Sequence, residues 1–167
     1  DSVTYVPAEL FNVLFCNPDA VKIDGSSITI TSDAGQSAQI PNPFTEHKTI
    51  DEAKKTISFD AKLPTAMPKG YSLSYIATMS DNLIELVYSN GGKDITYRTA
   101  LGDEDISGDY NTYPSVVTEQ ISGTEVTLKG DGELYHTAVW HSDKAYSMSC
   151  SAGLSKDELI KIISEIR

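Results

Sequence analysis

The feature that most constrains the fold is a series of seven short segments of β-type sequence, each followed at once by turn residues. The segments span residues 72–79, 83–88, 94–101, 116–121, 125–128, 133–140 and 146–150. Most of the connectors between them are a few residues long and rich in Gly, Asn, Asp and Ser. Because a parallel crossover needs about a dozen or more residues, such connectors force neighbouring strands to run antiparallel. The sequence therefore predicts an antiparallel meander.

Two capping boxes predict helices on either side of these strands. Thr49 precedes a predicted helix at residues 50–57 and has Glu52 three positions later. Ser155 and Glu158 repeat this spacing before the last apolar run. In a capping box each of the two side chains accepts a hydrogen bond from a backbone N–H that the helix leaves unpaired. The predicted fold class is thus α+β, an antiparallel β-meander sheet with two to three helices packed on one face.

The first 41 residues predict a smaller set of elements. A helix is expected at residues 7–15, with Pro7 at its start, followed by a hairpin of residues 20–23 and 27–31 that turns at Asp24-Gly25. A third strand is expected at residues 36–40, and the proline-flanked residues 41–44 predict a linker. We therefore expect residues 1–41 to form an N-terminal helix and small β-hairpin segment that packs on a main α+β domain, residues 42–167, within one structural domain overall.

The composition excludes two classes of partner. The chain has 24 acidic against 13 basic residues and a formal charge of −11, which repels nucleic acids and anionic lipid surfaces. The one adjacent basic pair, Lys54-Lys55, is expected on a solvated helix face. The apolar stretches are far shorter than the ~20 residues that a bilayer helix needs, so direct membrane insertion is not expected. Because the chain begins at Asp1, we expect it to be a processed or trimmed piece.

Cysteine and histidine residues do not form a recognisable metal or nucleophile motif. Cys16 and Cys150 could close one large loop or remain unpaired, and buried free thiols are the favoured alternative. His136 and His141 lie five residues apart on one predicted strand, where side chains alternate between faces, so we expect them on opposite sides of the sheet. His47 lies far upstream. A shared zinc site is not predicted.

One acidic loop has a pattern that points to a ligand. Oxygen-bearing side chains recur at alternate positions with a glycine in sixth place, as in the first half of a calcium-binding EF-hand loop. The second half departs from that pattern, because position twelve is Pro114 instead of a bidentate Glu and no flanking helices are predicted. A solvated acidic turn is therefore favoured, and calcium remains the alternative. The candidate ligands are Asp103, Asp105, Ser107, Asp109 and Asn111.

The sequence contains no established catalytic or cofactor motif. A nucleophile elbow, a phosphate loop, a dinucleotide glycine pattern and a zinc-protease motif are all missing. We therefore expect no catalytic residues and no cofactor, and a chain that is not an enzyme. The nine tyrosines and Trp140 could line a face that binds sugar or peptide, although strand tyrosines more often serve the sheet itself.

From Asn42 onward, the order of short motifs resembles a bacterial domain of unknown function found in extracytoplasmic parts of anti-sigma-factor-like membrane proteins and lipoproteins. The resemblance implies an extracytoplasmic address: secreted, lipoprotein or the outer face of the cell membrane. It implies a non-enzymatic sensing or protein-interaction module whose partner is a protein, a cell-envelope component or a small molecule, with a lipid- or carbohydrate-binding lipoprotein domain as the alternative. The motifs are Thr49-x-x-Glu52-Ala53, Phe59, Leu63-Pro64, Met67-Pro68-x-Gly70-Tyr71, Val87-Tyr88, Trp140 and Leu154-Ser155-x-x-Glu158-Leu159.

Overall fold

The chain divides into two compact units, Asp1–Asn42 and Pro43–Arg167. The structure is a computed structural model, and it describes residue 7 and residues 10–14, 18–31 and 42–166. The strand predicted at residues 36–40 and the thiol of Cys16 lie outside the described residues.

The first unit contains the predicted hairpin. Strands β1 (Val21–Asp24) and β2 (Ser27–Ile30) pair antiparallel, and Gly25 between them has a φ of +57°, a left-handed conformation that glycine adopts without steric cost. The described part of the predicted helix contains α1 (Leu10–Leu14), and residues 8, 9 and 15 of that prediction lie outside the described residues. The backbone N–H of Val21 donates to Asn12 Oδ1 at 3.0 Å and thereby ties the hairpin to this helix.

The second unit contains an eight-stranded sheet, which is antiparallel as the connector lengths predicted, and two helices. All seven predicted strands are present, with ends that differ by a few residues. The elements are β3 (Phe44–Glu46), α2 (Ile50–Thr56), β4 (Ser72–Met79), β5 (Leu83–Asn90), β6 (Lys93–Ala100), β7 (Ser115–Ile121), β8 (Thr124–Gly130), β9 (Tyr135–His141), β10 (Ala145–Leu154) and α3 (Lys156–Ser164).

The strand order differs from that of a single meander. The order is β3-β4-β5-β6-β10-β9-β8-β7, so two four-stranded meanders meet where β6 pairs antiparallel with β10. The connection between β6 and β7, residues 101–114, is long enough to cross the sheet instead of turning back beside β6. Tight turns define only the neighbours within each half, and the pairing between the halves is a non-local contact.

Residues 41–44 were predicted as a linker, and this was wrong at Phe44. Phe44–Glu46 forms the edge strand β3 and pairs with Met79–Ala77 of β4. A three-residue strand that directly follows a proline has too little alternation to be recognised, and it is stabilised by the edge of β4 beside it.

The core of the second unit is one hydrophobic cluster. It joins Ala53 of α2 and the apolar stripe of α3 to the apolar side chains of the sheet. The largest fully buried members are Ile84, Leu86, Ile95, Tyr97, Val126, Leu128, Met148 and Leu159. On β5 and β6 these residues alternate with Glu85, Thr96 and Arg98, which therefore face the other way.

Both predicted N-caps are present. Thr49 Oγ1 accepts a bond from the Glu52 N–H at 3.2 Å, but Glu52 Oε2 accepts from the Lys48 N–H at 3.0 Å, one residue earlier than the predicted box requires. The box at Ser155 and Glu158 is complete. Because each cap stabilises a helix by about 1 kcal/mol, these short helices start at defined positions.

Candidate functional site

A polar face lies on the side of the sheet opposite the hydrophobic cluster. We define it by Glu85, Thr96, Arg98, Thr137, Ser147 and Ser149, which pair across neighbouring strands from β5 to β9. Three of these side chains belong to buried residues, Glu85, Thr137 and Ser147. Burial of polar side chains on a sheet face indicates that another segment covers them.

Residues 101–114, which we call the strap, contact this face. Arg98 is the main anchor: its Nη1 donates to the carbonyl oxygens of Ile106 at 3.1 Å and Ser107 at 2.9 Å. The Nε of the same guanidinium donates to Glu85 Oε2 at 2.5 Å, so the charge that binds the strap is itself fixed by a buried carboxylate. A second contact joins Lys129 Nζ to Asp105 Oδ2 at 2.9 Å.

A chain of local turns explains the alternating oxygens of the acidic loop, for which a solvated turn was favoured and calcium was the alternative. Asp105 Oδ1 accepts from the Ser107 N–H at 2.9 Å, Ser107 Oγ from the Asp109 N–H at 3.2 Å, and Asp109 Oδ1 from the Asn111 N–H at 3.0 Å. Each of these side chains thus bonds to the backbone two residues ahead, the pattern of consecutive Asx and Ser/Thr turns. The fifth candidate, Asp103, lies apart and lines a cavity with Glu104, Asp105 and Glu125.

Asp109 has the most extensively bonded side chain of the strap. Its Oδ2 accepts from Tyr113 Oη at 2.7 Å and from the Thr137 hydroxyl of β9, and its Oδ1 accepts from the backbone and the side-chain amide of Asn111. Burial alone would raise the pKa of this carboxyl, but the bonds from Thr137, Tyr113 and Asn111 outweigh burial and lower the pKa to about 2. Asp109 is therefore a fixed anion at neutral pH.

A groove of about 500 Å³ lies between the strap and strands β6, β9 and β10. Cavities of about 300–1,000 Å³ are the usual size of small-molecule sites. Among the described residues, the lining contains two carboxylates, one amide and several hydroxyls, and neither lysine nor arginine. The residues are Asp94, Thr96, Ser107, Gly108, Asp109, Asn111, Tyr113, His136, Thr137, Ser149, Cys150 and Ser151.

Hydroxyl groups from three adjacent strands form the floor of the groove. Thr96 pairs with Ser149, and Ser149 pairs with Thr137, so the three side chains form a row across the sheet. Thr137 bonds to Asp109. Within the described part of the chain, the hydroxyls of Thr96 and Ser149 have no hydrogen-bond partner, which leaves them able to bind a ligand in the groove. Asp94 stands at one end of the row, where its backbone N–H donates to Ser151 Oγ at 2.8 Å.

A β-bulge places His136 in this groove. Thr137 pairs with Lys129 and Tyr135 pairs with Gly130, so His136 is an additional residue between two paired positions. The strict alternation of faces that the sequence prediction assumed therefore fails at His136. The ring of His136 stacks on that of Tyr113, with centroids 6.1 Å apart. Its Nδ1 lies 3.1 Å from the carbonyl oxygen of Cys150. His141 lines a different cavity, with Asp103 and Trp140, and the two histidines share no site.

The nucleophile and metal chemistry of the groove is limited. Cys150 carries a free, buried thiol, and burial, with Glu158 as a smaller cause, raises the pKa of this thiol to about 12. At neutral pH it is therefore protonated and weakly nucleophilic. Among the described residues, no group of three or more His, Cys, Asp or Glu side chains is arranged to hold a metal ion.

Four of the tyrosines that were considered as an alternative binding surface are internal. Tyr88, Tyr97, Tyr135 and Tyr146 belong to the hydrophobic cluster, and Tyr97 Oη donates to the Lys62 carbonyl at 2.6 Å. Trp140 stacks on Tyr146 with centroids 5.3 Å apart. These rings serve packing, whereas Tyr113 contributes a ring to the groove.

Sequence reasoning found the strap residues of the groove through their acidic-loop pattern, but it missed Asp94 and the hydroxyls on the strands, because these belong to no motif. The available signal was a match between two strands that are distant in sequence: Asp94, Thr96 and Arg98 alternate with buried residues on β6, as do Ser147, Ser149 and Ser151 on β10. Once β6 and β10 are known to be neighbours, these two polar rows predict a shared hydrophilic surface.

A membrane crossing by a helix is not seen: within the described ranges, each helix falls short of the length and apolar character required.

No curated protein and no solved structure matches the chain. One family model does match, over residues 61–166, which include the strap, the groove and all strands from β4 to β10. Since this match covers more than half of the sequence, the chain belongs to the family described as a domain of unknown function (DUF4367).

Proposed function

We propose that the chain is an extracytoplasmic, non-enzymatic sensing module of a membrane-anchored or secreted bacterial protein, and that the groove beside the strap is its ligand site. The order of motifs from Thr49 to Leu159 supports the address, because it resembles domains in the outer parts of anti-sigma-factor-like membrane proteins and lipoproteins. The position of the groove supports the sensing role, because a ligand bound there would contact both the sheet and the strap.

The groove itself is the observation that carries the proposal. Its floor offers the hydroxyls of Thr96 and Ser149, which lack partners among the described residues, and its wall offers the amide of Asn111. Two carboxylates and no basic side chain line it, which disfavours anionic ligands. Neutral, hydroxyl-rich molecules of saccharide type can both donate to the carboxylates and accept from the hydroxyls. The ligand class proposed is therefore a small neutral saccharide or a similar polyol.

Three features of the groove favour binding over catalysis. Asp109 is held as an anion by four hydrogen bonds, so it is poorly placed to exchange protons near neutral pH. His136 has Nδ1 engaged with a backbone carbonyl. The Cys150 thiol is protonated, as its raised pKa requires. A general acid–base pair or an activated nucleophile has no support in this arrangement.

The lipid-binding alternative has less support than the saccharide-binding one. In this proposal α2 and α3 cover one face of the sheet, and buried side chains such as Leu86, Met148 and Leu159 fill the space between sheet and helices. The apolar pocket beside α3, lined by Met67, Pro68 and Ile162 among others, holds about 260 Å³. An acyl chain needs a longer apolar cavity, while the polar groove is larger and open.

The test is a titration of the isotope-labelled chain with glucose, N-acetylglucosamine and cellobiose. Binding is monitored through the NMR chemical shifts of the backbone amides. We expect shifts at Thr96, Ser149 and Asn111, and we expect Thr96→Val with Ser149→Ala to weaken binding about tenfold. Thr118→Val, on the same sheet but outside the groove, is the matched control. Saccharide binding elsewhere, binding unchanged by the double variant, or no shift with any of the three sugars would contradict the ligand assignment.

The extracytoplasmic address has a separate test. The full-length product of the native gene is expressed with an epitope inserted in the turn at Gly123, and intact cells are treated with protease. We expect the protease to cleave the epitope in intact cells. A cytoplasmic reporter protein in the same cells is the control and should stay uncleaved. Protection of the epitope until the cells are lysed would contradict the address without affecting the groove.

A further inference from the structure

The two edges of the eight-stranded sheet differ in a way that points to an interaction surface. One edge is β3, which is only three residues long. The other is β7, whose seven residues pair with β8 in an unbroken antiparallel register. At ~3.4 Å per residue β7 presents an edge of ~24 Å. In the described part of the chain no strand pairs with its outer side.

Apart from one charged residue, Glu119, β7 lacks the features that proteins use to protect such an edge. Its sequence, Ser-Val-Val-Thr-Glu-Gln-Ile, contains no lysine, proline or glycine, and its ladder has no bulge. Val116 is 59% exposed on the polar side. A long, regular edge with exposed apolar residues is a template for another strand unless it is blocked.

The side of β7 that faces α3 offers partial cover for an added strand. Lys156, at the start of α3, places its Nζ 2.9 Å from Glu119 Oε1 of β7. Val117 and Ile160 both pack, half-buried, against the hydrophobic cluster. A strand beside β7 could therefore set one apolar side chain next to Val117, close to the cluster and sheltered from water.

From these observations we infer that β7 binds an extended, basic segment of another protein by strand addition. The charge near the edge selects this occupant. Lys156 offsets Glu119, whereas Glu125, paired with Gln120 across the ladder, and Asp157 of α3 form no ion pair with described residues. A second copy of the chain would bring its own charge of −11 against this edge, so a lysine- or arginine-bearing strand is the better complement.

The probe is the acetylated and amidated peptide KVTVKVT, titrated at low salt into the isotope-labelled chain. We expect amide shifts and slowed hydrogen exchange confined to β7 and its flanking residues. The acidic counterpart EVTVEVT is expected to bind at least about tenfold more weakly. Glu125→Gln should weaken binding of the basic peptide, while Glu46→Gln, on the opposite edge strand, should leave it unchanged.

Main-chain pairing is tested on the wild-type protein with two N-methylated peptides. Successive amides of a strand point to opposite sides, so methylation of the odd or of the even residues blocks one edge of the peptide. One methylated form should lose binding and the other should keep it. Equal binding by both forms, shifts outside β7, no binding of the parent peptide, or concentration-dependent self-association of the chain through β7 would each overturn the inference.

Discussion

Replacement of Arg98 by alanine should destabilise the second unit far more than its partly exposed position suggests. The side chain of Arg98 is 24% exposed, and that of its partner Glu85 is 10% exposed. Removal of one member of a buried ion pair typically costs about 3–5 kcal/mol because the other charge stays buried without a partner. Since Arg98 is not fully enclosed, the lower end applies, and we expect Arg98→Ala to cost about 3 kcal/mol.

Substitution of the other member of the pair, Glu85, should reduce the free energy of unfolding by less. Glu85→Gln leaves Arg98 with its two bonds to the strap carbonyls and with some access to water, so we expect a loss of about 1 kcal/mol. Lys62→Ala is the control, because Lys62 and Asp143 form an ion pair at 3.6 Å in which both side chains are about half exposed. Exposed pairs of this kind contribute at most about 1 kcal/mol.

Urea unfolding followed by Trp140 fluorescence measures these differences, since Trp140 is the chain's single tryptophan and packs against the core of the second unit. The urea dependence of the unfolding free energy should stay constant across the series, so that midpoints report stability directly. A loss below about 1 kcal/mol for Arg98→Ala, or a larger loss for Glu85→Gln than for Arg98→Ala, would refute the reasoning.

Three further predictions concern single groups. Because the Asp109 pKa is lowered to about 2, the stabilisation by this carboxylate is present above pH ~4 and is lost as the pH falls towards ~2. In urea titrations, Asp109→Asn should therefore weaken the dependence of the unfolding free energy on pH between ~2 and ~4. Gly130→Ala would place a Cβ inside the van der Waals contact distance of the Leu134 carbonyl oxygen, and thermal unfolding should show a loss of about 2 kcal/mol or more. In a Cys16→Ser background, the Cys150 thiol should react with Ellman's reagent at least about 100-fold more slowly than in urea. A pH profile unchanged by Asp109→Asn, a neutral Gly130→Ala or a rapidly labelled thiol would contradict the respective argument.

Both helices of the second unit and all its strands except β3 could be predicted because local signals define them. Ser155 and Glu158 mark the start of α3, and the connectors after Met79 and Asn90 leave too few residues for anything but a reversal. Such signals act over a few residues, and the structure agrees with them closely.

The groove could not be predicted because it depends on contacts between distant residues. Thr96 and Ser149 become neighbours only through the pairing of β6 with β10, which no turn between them encodes. The bulge at His136 likewise disrupts the alternation of faces, which holds from Thr137 to His141 of β9. The alternating oxygens of the acidic loop were noticed in the sequence, but turn formation and ion coordination favour the same spacing.

The position of β10 in the sheet affects how the protein folds during its synthesis. Strand β10, which joins the two halves of the sheet, follows the other seven described strands in the sequence, so during synthesis β3–β6 and β7–β9 must both wait for Ala145–Leu154. Until then two unpaired borders are open to the solvent, and nascent chains could associate through them. A truncation that removes β10 should therefore yield insoluble material, and chaperone dependence should fall sharply once this segment emerges.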